Sequence, residues 1–365
     1  MWRWLILLIV LSVGVQFSAA QEELPDILAD LSLFWEQVAD QPDDFSVACM
    51  PLGDSARAVI YNSEPFPLAS VSKLLIFIEY ARRLDAGLIS MGETVNVVDL
   101  NRYNLPRTDR GAHDRFMERY PDNVSSISLW DVASEGMIQY SSNAASDYLL
   151  DRMAPINWDS LFSLLDIEDT SIPHALTMIP LLMNNHETGL ATMADIEDLS
   201  REQGENYLDL YMINDDWRQK EIAYREERGR SFPVWDVQSA IMQQHTAVGT
   251  VGDFLKIMVA VYDSDGPLPD SIKFIVRTGL RWRESAFIDA NYIEFGSKLG
   301  FYSGGVLTLV AFGQPLEGEP VISVTFFRNI PQRMYSEMLR EDSIGFFAHW
   351  LNLTACTQLA EALTS

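Results

Sequence analysis

The segment FPLASVSKLLIFIEYARRLDAG, residues 66–87, decides how the rest of the chain is read. It reads as a helix closed by Gly87, a residue suited to the left-handed conformation that ends helices. Near its start stand Ser70 and Lys73. At i and i+3 in a first turn, the two share one helix face. A serine hydroxyl becomes a nucleophile only with a base within reach. A lysine that is partly desolvated and close to other cations loses its proton readily enough to be that base. The helix dipole also favours negative charge developing at Ser70. The plain alternative is two ordinary residues at the start of a buried helix, and this segment alone does not separate the readings.

Lysine usage sharpens the question. The chain has five lysines, Lys73, Lys220, Lys256, Lys273 and Lys298, against 21 arginines. Arginine stays protonated in proteins and cannot serve as a base. A scarce lysine one turn after a helix-starting serine is therefore worth testing against the rest of the sequence.

Before the segment, LPDILADLSLFWEQVAD (24–40) has helical periodicity, and FSVACMPL (45–52) and ARAVIYN (56–62) read as a hairpin. After it, most segments from about 100 to 275 read as helices joined by polar loops. GTVGDFLKIMVAVYD (249–263) is the clearest, with Thr250 as N-cap and Asp253 three residues on. YIEFGSKLG (292–300), VLTLVAFG (306–313) and PVISVTFF (320–327) then read as three strands, and a last helical region follows from about Arg333. Strands segregated from helices argue an α+β fold: a five-stranded antiparallel sheet flanked by terminal helices, plus an all-helical lobe. The expected division is one catalytic domain over 21–365, its α/β lobe from about 21–98 and 275–365 and its helical lobe from about 99–274.

The formal charge of −26 opposes nucleic acid or anionic membranes as partners, since both require clustered cations. The N-terminus, MWRWLILLIVLSVGVQFSAAQEE, has the charged, apolar and small-residue regions of a secretory signal peptide over 1–20. The apolar run is short for a membrane span, so a mature, exported protein starting near Gln21 is expected, with an uncleaved anchor as the alternative. In an oxidising compartment Cys49 and Cys356 either form a disulfide or stay as buried thiols. Two cysteines and five histidines show no metal-ligand spacing, so neither metal nor cofactor is expected. The oligomeric state is not legible.

Two further motifs supply the partners that Ser70 and Lys73 need. QYSSNAASDYLL (139–150) puts Ser141 and Asn143 at the start of a helix, and FGSKLGFYSGG (295–305) puts Lys298 on a strand, followed by Gly300. Ser70-x-x-Lys73, Ser141-x-Asn143 and Lys298-x-Gly300, in this order and spacing, resemble class A β-lactamases and penicillin-binding peptidases. The likeness covers nearly the whole mature chain, with extra length near 103–125 and 200–245. It implies that Ser70 attacks a carbonyl with help from Lys73, and that Ser141 relays a proton to the leaving nitrogen with Lys298 beside it. Asn143 is implied to bind the substrate amide, and the backbone N–H groups of Ser70 and Phe301 to form the oxyanion hole.

Three departures stand out. Class A enzymes use a Glu after the second motif for deacylation. Counting back from LATMADIEDL (190–199), which resembles the helix following that loop, the position falls near Leu176. No acid lies between Thr170 and Asn185; His174 and Glu187 are the substitutes at hand. Leu299 stands where the family has Thr or Ser, and SGGVLTLVAF (303–312) lacks an Arg for the substrate carboxylate. Arg328 is a candidate replacement, or else a surface residue at a strand end. The expected activity is that of an exported serine acyl-hydrolase on a small-molecule or peptide acyl donor, either a β-lactam or a related amide. A D-alanyl-D-alanine peptidase or esterase, or a penicillin-binding scaffold without turnover, is the alternative. A Ser-His-Asp hydrolase is disfavoured because no Gly-x-Ser-x-Gly elbow is present.

Overall fold

Five strands, β1 (Phe45–Pro51), β2 (Val59–Tyr61), β3 (Tyr292–Tyr302), β4 (Val306–Pro315) and β5 (Val321–Phe327), make one antiparallel sheet in the order β2-β1-β5-β4-β3. The computed structural model describes residues 31–228, 232–282 and 285–364. The signal-peptide reading of 1–20 and the first part of the 24–40 helix lie outside the described residues. The two ends of the chain meet in the sheet, with Phe45 opposite Phe327 and Pro51 opposite Val321.

The sheet strands read as apolar runs because both faces are covered. Side chains alternate between faces with a period of two. Ala48, Met50, Val310, Phe312, Ile322 and Val324 join one core, while Val47, Cys49, Leu307, Leu309 and Ala311 join the other. Helices α1 (Ser32–Asp40), α2 (Lys73–Asp85), α3 (Ala112–Met117), α4 (Asn143–Arg152), α5 (Val251–Tyr262), α6 (Gln332–Arg340) and α7 (Ser343–Leu353) frame the site. The terminal helices cover the second core, where Phe34 of α1 stacks on Phe347 of α7 with ring centroids 3.8 Å apart. Helices α2 and α5 contribute Leu75, Ile78, Phe254 and Met258 to the first. A disulfide joins Cys49 of β1 to Cys356, Cα atoms 5.7 Å apart, which resolves the open question between a bridge and free thiols.

Several details differ from the sequence reading. The stretch from 100 to 275 also holds short strands: Asn184–Asn185 pairs with Gly189–Leu190 inside it, while Ser126–Ser128 and Val248–Gly249 pair with Thr94–Asn96 and Phe66–Pro67 before it. Thr250 does cap α5, its hydroxyl accepting from Asp253 N at 3.1 Å. The Asp253 carboxylate does not complete a capping box. It accepts instead from Asp169 N and the Thr170 hydroxyl, both at 2.8 Å, and ties the neighbouring loop to the helix start. Residues 190–199 form turns rather than a helix; the next helix runs Arg201–Ile213. Within these turns the Asp195 carboxylate accepts from Thr192 N and Oγ1 at 2.7 and 2.6 Å.

Candidate active site

Ser70 is not in the α-helix itself. Ala69–Ser72 is a single 3₁₀ turn, and α2 begins at Lys73. Ala69 has φ +46°, a left-handed conformation that a residue with a side chain adopts only at a cost of about 1–2 kcal/mol. The sheet holds this turn in place, since Thr308 Oγ1 donates to Leu68 O at 2.9 Å. At the other end Gly87, with φ +68°, closes α2 as expected.

Gly300 brings the strand against the same turn. A Cβ there would lie 2.4 Å from Thr308 Oγ1 and 2.9 Å from Ser70 N. The close approach of β3 to the Ser70 amide thus requires glycine. This contact lies one residue before Phe301 on the strand.

The second motif arrives on unusual backbone. Val132–Gln139 winds as a π-helix, a form often found at functional sites, and Tyr140 N donates to Glu135 O at 2.8 Å. Ser141 follows with φ +64°, and Ser142 caps α4 by accepting from Ala145 N at 3.1 Å. This turn places Ser141 between two lysines. Lys73 Nζ donates to Ser141 O at 2.6 Å, to Asn143 Oδ1 at 2.9 Å and to Ser141 Oγ at 3.4 Å. Lys298 Nζ donates to Ser141 Oγ at 2.9 Å and to Leu299 O at 3.1 Å.

Both lysines are buried. Burial pushes Lys73 down to about 7, against the opposing pull of Asp109 and Asp147. Burial pushes Lys298 well below the usual lysine range, and the neighbouring Lys73 adds to the effect. A hydroxyl flanked by two amines that give up protons easily can pass a proton in either direction. The Ser70 hydroxyl makes no hydrogen bond among the described residues. It faces a cleft of about 1030 Å³ lined also by Ser141, Asn143, Lys298, Leu299 and Phe301. Among the described residues no cluster of His, Cys, Asp or Glu has the geometry to hold a metal ion.

The chain matches the β-lactamase enzyme family over residues 28–265. It belongs to that family. No curated protein matches it in sequence. Among solved structures, the β-lactamase from Sphaerobacter thermophilus DSM 20745 is 13% identical with a TM-score of 0.56, covering 90% of this chain and 97% of that one. A β-lactamase from Chitinophaga pinensis DSM 2588 is 14% identical, TM-score 0.54, covering 90% and 100%. A PBP-A variant solved as an acyl-enzyme complex with penicillin G is 13% identical, TM-score 0.50, covering 88% and 96%. At these identities the likeness establishes a shared fold.

Against that family, the region expected to carry a deacylating Glu is apolar and closed. Leu176 is buried, and its N–H and that of Thr177 donate to the Asp147 carboxylate at 2.8 and 2.9 Å. Burial pushes Asp147 up to about 6 even so. His174 accepts at Nδ1 from Arg201 Nη2 at 2.6 Å, and burial together with that guanidinium pushes it down to about 3. Neither His174 nor the exposed Glu187 lines the cleft. Arg328 lies elsewhere as well. It donates to Asp44 Oδ1 at 2.9 Å and covers the Phe66 ring at 4.3 Å, which is the strand-end surface role and not a substrate contact.

Two features of the site go beyond the sequence reading. Asp147, one turn past Asn143, is a buried carboxylate that organises the 176–177 backbone; its i+4 spacing on α4 is the signal that could have found it. The extra length near 103–125, which no motif explains, supplies one wall of the cleft.

Proposed function

We propose that this β-lactamase-family protein is a serine acyl-hydrolase that acts through an acyl-Ser70 intermediate and releases the acyl group slowly. The observation that carries this reading is the convergence of Lys73 and Lys298 on the Ser141 hydroxyl, at the mouth of a cleft that Ser70 faces. In this scheme Ser70 Oγ attacks the carbonyl of an amide, and its proton passes to neutral Lys73. The oxyanion is held by the N–H groups of Ser70 and Phe301, a reading supported by the close approach of Gly300 to Ser70 N. Ser141 delivers the proton to the leaving nitrogen, re-supplied by the lysines on either side. Asn143, whose carboxamide oxygen is held by Lys73, presents its NH₂ to the substrate.

Slow release follows from what surrounds the acyl group. Among the described residues, the acidic ones lining the cleft are Asp109 and Glu135. Asp109 accepts from three backbone N–H groups, and Glu135 pairs with Arg119 at 2.5 Å. Neither is free to activate water. This favours β-lactams, peptides or esters as acyl donors with a persistent adduct, over rapid β-lactam turnover. The natural site of action is read as outside the cytoplasm, supported by the N-terminal apolar stretch and by the disulfide.

The test is intact-mass spectrometry of the protein with a penicillin and with a chromogenic cephalosporin. A one-to-one adduct that persists for minutes or longer and is absent in Ser70→Ala is expected. No adduct and no turnover with β-lactams, esters or D-Ala-D-Ala peptides would sink the enzyme reading, and fast colour without an adduct would sink the slow-release reading.

A further inference from the structure

The chain carries 52 acidic residues against 26 basic ones, yet the cleft reverses that ratio. Among the described residues, Arg107, Arg110, Arg115, Arg119, Arg340 and Lys298 line it, against Asp109 and Glu135. Arg119 is paired with Glu135, and Arg340 with Glu341 at 3.4 Å. Arg107, Arg110 and Arg115 have no carboxylate partner among the described residues, and all three are exposed to the cleft.

These three arginines sit on a segment fixed to the catalytic machinery. Asp109 Oδ1 accepts from Gly111 N and Ala112 N at 3.1 and 3.0 Å, and Oδ2 from His113 N at 3.0 Å, which sets the start of α3. The buried His113 ring then bridges Asn101 Oδ1 and Ser142 Oγ, each at 2.9 Å. Ser142 lies between Ser141 and Asn143, so the arginine segment is anchored within one residue of the second motif. Arg115 Nη1 donates to Arg110 O at 2.8 Å, and the Arg110 guanidinium lies over the Phe301 ring at 5.2 Å. That stacking puts a fixed cation beside the residue whose N–H serves the oxyanion hole.

Three unpaired guanidinium groups on one wall repel one another, and an anion among them reverses that sign. The planar fork of arginine matches a carboxylate in two-point contact. We propose that the wall formed by Arg107, Arg110 and Arg115 binds carboxylate groups of the acyl donor away from the scissile bond, making this cleft selective for peptide-like substrates with two or more carboxylates. The inference rests on the Ser70 reading for the substrate's role as acyl donor. Carboxylate binding itself is measurable without turnover.

The experiment uses the full chain carrying Ser70→Ala, titrated calorimetrically with N-acetyl-Glu-Glu and with its uncharged counterpart N-acetyl-Gln-Gln amide, at low salt and at about 0.5 M salt. The acidic peptide is expected to bind at least about tenfold more tightly at low salt, with the preference shrinking as salt rises. Arg110→Gln with Arg115→Gln is expected to remove the preference, and Arg57→Gln, on the distant hairpin, to leave it unchanged. Equal or absent affinity for the two peptides, or a preference that survives the double substitution, overturns the proposal. If the preference holds while the wild-type chain forms no adduct with any acyl donor, the Ser70 reading fails and this one stands. An adduct without the preference supports the Ser70 reading and overturns the carboxylate wall.

Discussion

Lys298, on the sheet, donates to the hydroxyl of Ser141, on the helical side of the cleft, at 2.9 Å. With Lys73 reaching the same serine, two buried amines share one hydroxyl, and they do not both carry a proton comfortably. In the proposed mechanism Lys73, pushed down to about 7, is the group whose neutral form takes the Ser70 proton. Acylation by a slowly reacting β-lactam is therefore expected to rise about tenfold between pH ~6 and ~8 and then level off. Lys73→Arg, which keeps the charge but cannot deprotonate, is expected to lose at least ~10²-fold in acylation rate. A flat pH profile refutes the assignment.

The same depression makes a statement about stability. Between about 7 and the ordinary lysine value of 10.5 the folded chain holds fewer protons than the unfolded one at Lys73. Stability from this residue accordingly increases with pH through that window and is lowest below pH 7. Urea midpoints at pH 6.5 and 9 compare the two conditions, and Lys73→Met is expected to flatten the difference.

Gly300→Ala places a methyl group against Ser70 N and Thr308 Oγ1. Since both contacts are rigid, β3 must move away from the Ser70 turn. The expected result is a destabilisation of about 1–3 kcal/mol and at least a hundredfold loss in acylation rate. If the rate holds while stability drops, the oxyanion site does not depend on this approach.

Leu176→Glu tests the position that the sequence count assigns to the family's deacylating acid. It must sit near Asp147, so a stability loss of about 1–3 kcal/mol is expected. The lifetime of the acyl-enzyme, followed by mass, is expected to shorten at least about tenfold relative to Leu176→Gln, which has the same size without the charge. Equal lifetimes in the two variants remove Leu176 as the missing position.

Cys49–Cys356 closes a loop with a sequence separation of 307. Replacing both cysteines with Ala is expected to cost about 2–5 kcal/mol, read as a lower urea midpoint. An unchanged midpoint says that the packing around α7 already holds the chain end.

The sheet and the motif that carries Ser141 and Asn143 are legible in the sequence because both depend on short-range spacing. The alternation of Val47 and Cys49 with Ala48 and Met50 specifies two covered faces, and Ser141-x-Asn143 is fixed by one helix start. The helix expected over 190–199 is replaced by turns, in which Asp195 accepts from Thr192, and the next helix starts only at Arg201; apolar periodicity does not report this shift. Arg328 and Arg110 are indistinguishable as isolated letters. Their separation into a strand-end residue and a cleft residue comes from long-range placement, with Asp44 beside one and Phe301 beneath the other. The arginine wall is illegible for the same reason: its residues become a site only when α3 is docked on Ser142.

The pairing of Phe45 with Phe327 has a consequence for how the molecule is made. Strands β1 and β5, neighbours in the sheet, lie about 270 residues apart in sequence, so the sheet cannot be completed until residue 327 is available. Such long-range closure slows folding, since loop entropy must be overcome before the contacts form. A polypeptide emerging in order would hold its helices as an unfinished shell until the last strands arrive.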